Sequence, residues 1–341
     1  MNSIQIAEYK PEDSEEAVAL EAACVQGESL VLKYRRPAFH ARSGVYAKHR
    51  ILCARLDGRL AGIAAWAEKE LTLHSRRIRA AYLYDLRVHP DYRKKAVPFH
   101  LEHAIFEDIG PAMDCIYTWI AGENERCLRP AQRLFGMNRV ERFTYVVFPV
   151  YKRRRVTSDW CAATAEETHR IYLRHNADMD FIPDFEERSL VGLVSSVRLV
   201  KPGSGACSLW TNRGLLEEQV VSVPGTYRLL RAVTRPLRPW MDLPYIPKPE
   251  DTLRSWFLFD FTGPAGAEGK LETTELMSVV NNLALKEKIQ FLYLLLQNNS
   301  PLLGDMRKLG FWTYAFPYCF LAKGPMTPDP DDSIYVDIRD L

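Results

Sequence analysis

Residues 77–98 restrict the fold more than any other part of the chain. From Arg77 to Pro90 the side chains alternate with period two. Ile78, Ala80, Tyr82, Tyr84, Leu86 and Val88 share one face, and Arg77, Arg79, Leu83, Asp85 and Arg87 share the other. That period is the mark of a strand, and Pro90 stops it. Arg93-Lys94-Lys95 then leads into a helix starting near Pro98, whose missing N–H costs nothing in a first turn. Leu101, Ala104, Ile105 and Ile109 form the buried stripe of that helix. A strand, a short turn and a helix in direct succession aim unbonded N–H groups and the positive end of the helix dipole at one point. Such a point suits a pyrophosphate, and the three cationic side chains add attraction.

The flanking sequence predicts a mixed α/β sheet. Ile4–Tyr9 reads as a strand and Glu12–Cys24 as a helix. Ile51–Leu56 and Leu60–Trp66 form a hairpin across Asp57-Gly58. After the helix come a strand at Cys115–Ala121, a loop with Asn124, a short helix at Ala131–Phe135 and a strand at Thr144–Tyr151. Adding 174 to these positions places Tyr82–Arg87 on Trp256–Phe261, the helix on Glu272–Ala284, Cys115–Ala121 on Ile289–Leu295, Asn124 on Asn298 and Gly136 on Gly310. A shared offset across so many features is the signature of a repeat. It predicts two halves, 1–151 and 157–341, each an independent mixed sheet flanked by helices, with Lys152-Arg153-Arg154-Arg155 in a solvated basic linker at 152–156. The second half carries a proline-rich segment, Pro236–Pro249, read as an irregular, stiff loop.

Leu86-Arg87-Val88-His89-Pro90-Asp91-Tyr92-Arg93-Lys94-Lys95-Ala96-Val97-Pro98 resembles the cofactor loop of the GCN5-related N-acetyltransferase (GNAT) superfamily, V-x-P-x-x-R-x-x-G-x-G/A. Val88, Pro90 and Arg93 match, Ala96 replaces the first glycine, and Asn124 stands where the family often has Asn. The resemblance covers residues 4–151 and, through the repeat, extends to 157–324. It implies two tandem acyl-CoA N-acyltransferase-like domains and transfer of an acetyl or other acyl group from acyl-CoA to an amine. The acyl-CoA-binding residues it implies are Leu86, Val88, Arg93, Lys94, Lys95, Ala96, Val97 and Asn124. The loop of the second half, Gly263–Lys270, has Ala267 at the Arg93 position and a repulsive Glu268, so the first half is the preferred cofactor site. The tandem peptidyltransferases that use aminoacyl-tRNA are an alternative of similar length. The departures in the loop allow a second one, a non-catalytic or regulatory CoA-binding protein.

Many members of the family protonate the departing thiolate with a Tyr four residues before a closing glycine. Counting back gives Gln132, or Phe135 after a slip, in the first half, and Met306 in the second; none carries a phenol. Asp85, on the polar face of the long strand, and Glu68, on the neighbouring strand beside Glu70, are the candidate bases. His100 and His103 lie three apart on one helix, but no third ligand is in sight, so no metal is expected. The 45 basic and 43 acidic residues give a net charge of +2, which argues against nucleic acid as partner. The acceptor is expected to be a small-molecule or peptide amine, and the protein a monomer or homodimer. Seven scattered cysteines without a CxxC pair, no apolar leader and no membrane-length apolar run point to a cytoplasmic protein without membrane contact.

Overall fold

The computed structural model describes residues 3–340 except 28–29, 158, 176, 184–196, 202–204, 212, 239, 263–265 and 309–312. The first half contains β1 (Ile4–Glu8), α1 (Ser14–Ala23), β2 (Val31–Arg35), β3 (Lys48–Leu56), β4 (Arg59–Leu73), β5 (Arg76–Val88), α2 (Val97–Ile109), β6 (Cys115–Ala121), α3 (Glu125–Arg133) and β7 (Asn138–Pro149). The second contains β8 (Cys161–Ala162), α4 (Ala165–His175), β9 (Met179–Asp180), β10 (Ile182–Pro183), β11 (Val197–Lys201), β12 (Gly205–Trp210), β13 (Glu217–Ser222), α5 (Gly225–Leu237), β14 (Ser255–Thr262), α6 (Gly266–Lys286), β15 (Phe291–Gln297), α7 (Pro301–Lys308), β16 (Tyr314–Lys323) and β17 (Ser333–Ile334).

The two halves are not independent sheets. One 13-stranded sheet runs β1-β3-β4-β5-β6-β16-β7-β15-β14-β12-β11-β8, with β10 added beside β4. β16, from the end of the chain, inserts between β6 and β7, and β7 pairs on its other edge with β15. Each half lends its last long strand to the other. The exchange leaves no unpaired strand edge in the middle of the molecule, where such an edge would cost hydrogen bonds. A second crossing of the halves is the ribbon of β2 and β13, antiparallel from Glu217↔Arg35 to Ser222↔Val31.

Apolar side chains of α2 and the sheet close one layer, with Val97, Leu101, Ile105 and Ile109 on Ala61, Trp66, Ala81 and Val88. Gly62 permits this approach, since a β-carbon there would lie 3.1 Å from Val97 and 3.2 Å from the Arg87 carbonyl. The 152–156 linker exposes Arg153 and Arg155, while its backbone is tied down: the Asn281 side chain donates to the Lys152 carbonyl, and Asn282 bonds both backbone groups of Arg154. Pro236 lies inside α5, one residue before its end, so the helix takes up the start of the stretch expected to be irregular.

The chain's last described residues enter the first half. The Lys69 ammonium, itself buried, binds Asp337 at 2.7 Å and Asp340 at 2.9 Å. Tyr117 donates to Asp340 at 2.7 Å, and Tyr46 donates to the Arg339 carbonyl at 2.6 Å. Buried charges persist when paired and hydrogen-bonded.

Candidate functional site

β5 and β6 run parallel only from Ala80↔Cys115 to Leu83↔Thr118. Two residues further along, Asp85 has φ +53°, a left-handed conformation that Asp adopts more readily than most residues. The register against β4 shifts at the same point, between Ile63 and Ala65. This bulge bends β5 away from β6 and opens a wedge between their C-terminal ends. The second half repeats the geometry. The parallel β14–β15 ladder ends at Leu258↔Leu294, and Asp260 has φ +47°. The last ladder residues are 175 apart on one strand and 176 on the next, not 174. Asn124 therefore matches Ser300 in position, not Asn298; Gly310 lies outside the described residues.

The wedge of the first half ends in the basic turn. The amides of Lys94, Ala96 and Val97 have no hydrogen-bond partner among the described residues, whereas those of Tyr92, Arg93 and Lys95 close local turns. Ala96 has φ −70°, so the missing glycine imposes no strain. Pro98 is the second residue of α2, where its absent donor removes no helical bond. Arg93 folds back to donate from Nε to the Val88 carbonyl at 3.1 Å, and Lys95 lies 4.9 Å from the centre of the Tyr92 ring. Leu86 and Val88 line the bent strand end, Val97 packs beneath the turn, and Asn124 stands exposed at the start of α3. Leu86, Val88 and Arg93 to Val97 thus follow one another from the bent strand end through the turn into α2. Glu102, on the second turn of α2, has no bonded partner among the described residues, and burial raises its carboxyl to about 7.

Neither candidate base suits that role. Asp85 is buried and bound by Arg36 at 2.9 Å and Arg42 at 3.0 Å, with Arg87 at 3.7 Å. Burial alone would raise its pKa, but the three guanidiniums outweigh it and hold the carboxyl well below the usual range. A carboxylate so held takes up no proton at neutral pH. Glu68 binds Lys48 at 3.0 Å and Arg79 at 3.2 Å. It sits opposite Ala81, on the far side of the ladder from the wedge, and its pKa is also lowered, the two cations overcoming partial burial.

On the sheet face opposite α2, beside Arg87, the structure gathers a group of tyrosines around Glu218, a tyrosine-walled chamber that the sequence did not indicate. Tyr34 of β2 stands 5.7 Å from the Arg87 guanidinium. Tyr145 of β7 packs at 5.5 Å on Tyr293 of β15 and at 5.7 Å on Tyr318 of β16. The hydroxyls of Tyr34, Tyr145 and Tyr318 have no bonded partner among the described residues, and neither does the buried Trp119 Nε1; Arg87 Nε makes no hydrogen bond but pairs with Glu21 at 3.8 Å. Glu218 of β13, opposite Tyr34 in the ribbon, accepts from Tyr293 Oη at 3.2 Å and has no cationic partner among the described residues. Burial pushes its carboxyl up to about 7, against the Tyr293 hydrogen bond. Burial also raises the phenols, so they stay protonated. The positions counted back from the glycines supply no phenol; this chamber supplies four.

The matching wedge of the second half is partly filled by the chain itself. Gln297 bonds the Asp332 carbonyl and the Ile334 amide, and Tyr335 donates to Asp260 at 3.0 Å. A cavity of about 370 Å³ remains between Leu258–Phe261, Leu294–Gln297 and Ser333–Val336. The loop at 263–265 lies outside the described residues. His74, Asp180 and Asp332 gather at the surface with His74 Nε2 2.8 Å from Asp332; this contact pins the C-terminal segment.

Residues 5–111 match the family described as Acetyltransferase (GNAT) domain. Among solved structures, N-myristoyltransferase from Saccharomyces cerevisiae, with bound myristoyl-CoA, is similar over 97% of this chain and 84% of that chain, at 10% identity and a TM-score of 0.66. A GCN5-related N-acetyltransferase from Sphaerobacter thermophilus is similar over 97% and 98%, at 14% identity and a TM-score of 0.57. One from Kribbella flavida is similar over 94% and 71%, at 12% identity and a TM-score of 0.50. No curated protein matches significantly by sequence. The fold is that of the acyl-CoA N-acyltransferases of the GNAT superfamily.

Proposed function

We propose that the protein transfers an acyl group from acyl-CoA to an amine, with acyl-CoA in the first-half wedge and the amine in the tyrosine chamber. The observation that carries this is the Arg87 guanidinium, which lies 3.7 Å from Asp85 at the bend of the wedge and 5.7 Å from the Tyr34 ring centre. The wedge mouth offers amides and cations, and the tyrosines beyond Arg87 surround a carboxyl raised to about 7 by burial. The diphosphate would meet the amides of Lys94, Ala96 and Val97 with Arg93 and Lys95 alongside, and the thioester would lie between β5 and β6. Glu218 takes the ammonium proton of the acceptor, directly or through water. The amine nitrogen then forms its bond to the acyl carbon as the C–S bond breaks. The thiolate is a tolerable leaving group near neutral pH. The second proton released from the nitrogen passes through a chamber phenol, which stays neutral overall, to the sulfur, and Glu218 gives its proton up to water. Filling of the second wedge by residues 332–335 supports the first half as the cofactor site.

Replacing Arg93 and Lys95 together with Ala should weaken CoA binding by about 2–3 kcal/mol, at about 1–1.5 per charge-assisted contact. Calorimetry on wild type and the double variant decides it. Unchanged affinity, with loss instead on altering Gly266 and Gly269, would move the cofactor to the second half. Incubation with acetyl-CoA and longer acyl-CoAs, read by mass spectrometry, followed by a panel of amines, tests the reaction. Tight CoA binding with no transfer to any amine would favour a regulatory CoA-binding protein.

A further inference from the structure

α5 presents its apolar side to solvent. Tyr227, Leu230, Arg231 and Thr234 are half-buried and face the protein, whereas Leu229 is 70% exposed, Val233 55% and Trp240, just beyond the helix, 82%. Leu229, Val233 and Leu237 recur every four residues, so they form one stripe along the helix. Arg228 and Arg235 flank it on one side. From Gln219 to Met241 the sequence contains four arginines and no acid. None of the four arginines has a carboxylate partner among the described residues.

Beside the stripe is a cavity of about 240 Å³ lined by Arg231, Arg235, Arg238 and Lys248. Its one acid, Asp251, already accepts from Tyr245 and from the Lys248 amide. Arg238 lies 5.5 Å from the Tyr245 ring centre, so the wall is cationic and partly preformed. An outward apolar stripe, a Trp at its end and a basic recess at its flank are the three parts of an interfacial helix.

We propose that α5 and Trp240 dock on an anionic lipid surface, the stripe entering the headgroup boundary and the Arg231–Arg235–Arg238 recess taking a lipid phosphate. Two features favour lipid over a second protein: of the cations lining the recess only Lys248 meets a carboxylate, Asp251 at 3.9 Å, and the exposed apolar groups form a narrow line rather than a patch. This peripheral contact departs from the sequence expectation of no membrane, which rested on the lack of a spanning segment. Among the described residues no helix is long and apolar enough to cross a membrane, and surface docking requires none.

Flotation of the full chain with phosphatidylcholine vesicles, with and without phosphatidylglycerol, tests the proposal. Binding should require phosphatidylglycerol and weaken with salt. Arg231→Gln and Arg235→Gln should each weaken it about fivefold, for about 1 kcal/mol per surface arginine. Leu229→Glu and Trp240→Glu should abolish it while circular dichroism stays unchanged, since both side chains are exposed. Equal binding to both vesicle types, or indifference to these four variants, would overturn the proposal. So would sedimentation showing a dimer that Leu229→Glu dissociates without any vesicle binding. Binding of glycerol phosphate in the recess with no vesicle binding would overturn it too, because the ligand would then be a free phosphate.

Discussion

Turnover of Glu218→Gln should fall by about 10²-fold or more, the usual loss on removing a general base, while CoA affinity stays unchanged. Gln keeps the shape and the acceptor atom for Tyr293 but takes no proton. The pH profile gives the stronger test. With its carboxyl near 7, Glu218 is protonated and idle below that pH, so the wild-type rate should climb as pH rises through about 7. The variant should lose this limb. Glu102, which also titrates near 7, lies on the α2 side of the sheet, and Glu102→Gln should keep it. The sign of the stability effect is fixed as well. A carboxyl raised in the folded state is most favourable when protonated, so its contribution is lost as pH rises through about 7. Glu218→Gln should therefore be the more stable protein at pH 8. Full turnover in this variant would remove Glu218 from the chemistry, and loss of CoA binding would point to a damaged fold instead.

Asp85→Asn should act on stability rather than on chemistry, lowering it by about 3–5 kcal/mol, the cost of stripping one partner from a buried ion network. Arg36 would keep Glu21 and the Phe39 carbonyl, but Arg42 would face a neutral amide in place of the carboxylate it binds at 3.0 Å. Asn also tolerates the left-handed backbone, so the loss reports charge and not strain. The lowered pKa of Asp85 makes the wild-type contribution present above the unfolded value near 4 and lost as pH falls through and below it. Denaturant midpoints at pH 7 and at about pH 2.5, well below the unfolded value, measure both effects. A change under 1 kcal/mol at pH 7, with turnover reduced a hundredfold, would restore Asp85 as a base.

The sequence by itself determined the long strand ending at Pro90, the basic turn and α2, because period-two alternation, a proline stop and a helix start are local properties of consecutive residues. It also put Leu86, Val88 and Arg93–Val97 on one strand end, turn and helix start, since elements in direct succession leave few ways to fold. What it could not decide was which strand fills the gap beside β6. β16 and β7 both alternate and are both apolar, and only competition among whole-chain packings puts one in the other half. The chamber follows from that choice. Tyr34, Tyr145, Glu218, Tyr293 and Tyr318 come from five strands of both halves, and nothing in the sequence near any of them marks it. The same holds for protonation. Asp85 and Glu218 are both carboxylates on strands, but tertiary packing surrounds one with guanidiniums and leaves the other buried beside a phenol. Their opposite pKa shifts arise from that difference in neighbours, which no local pattern encodes.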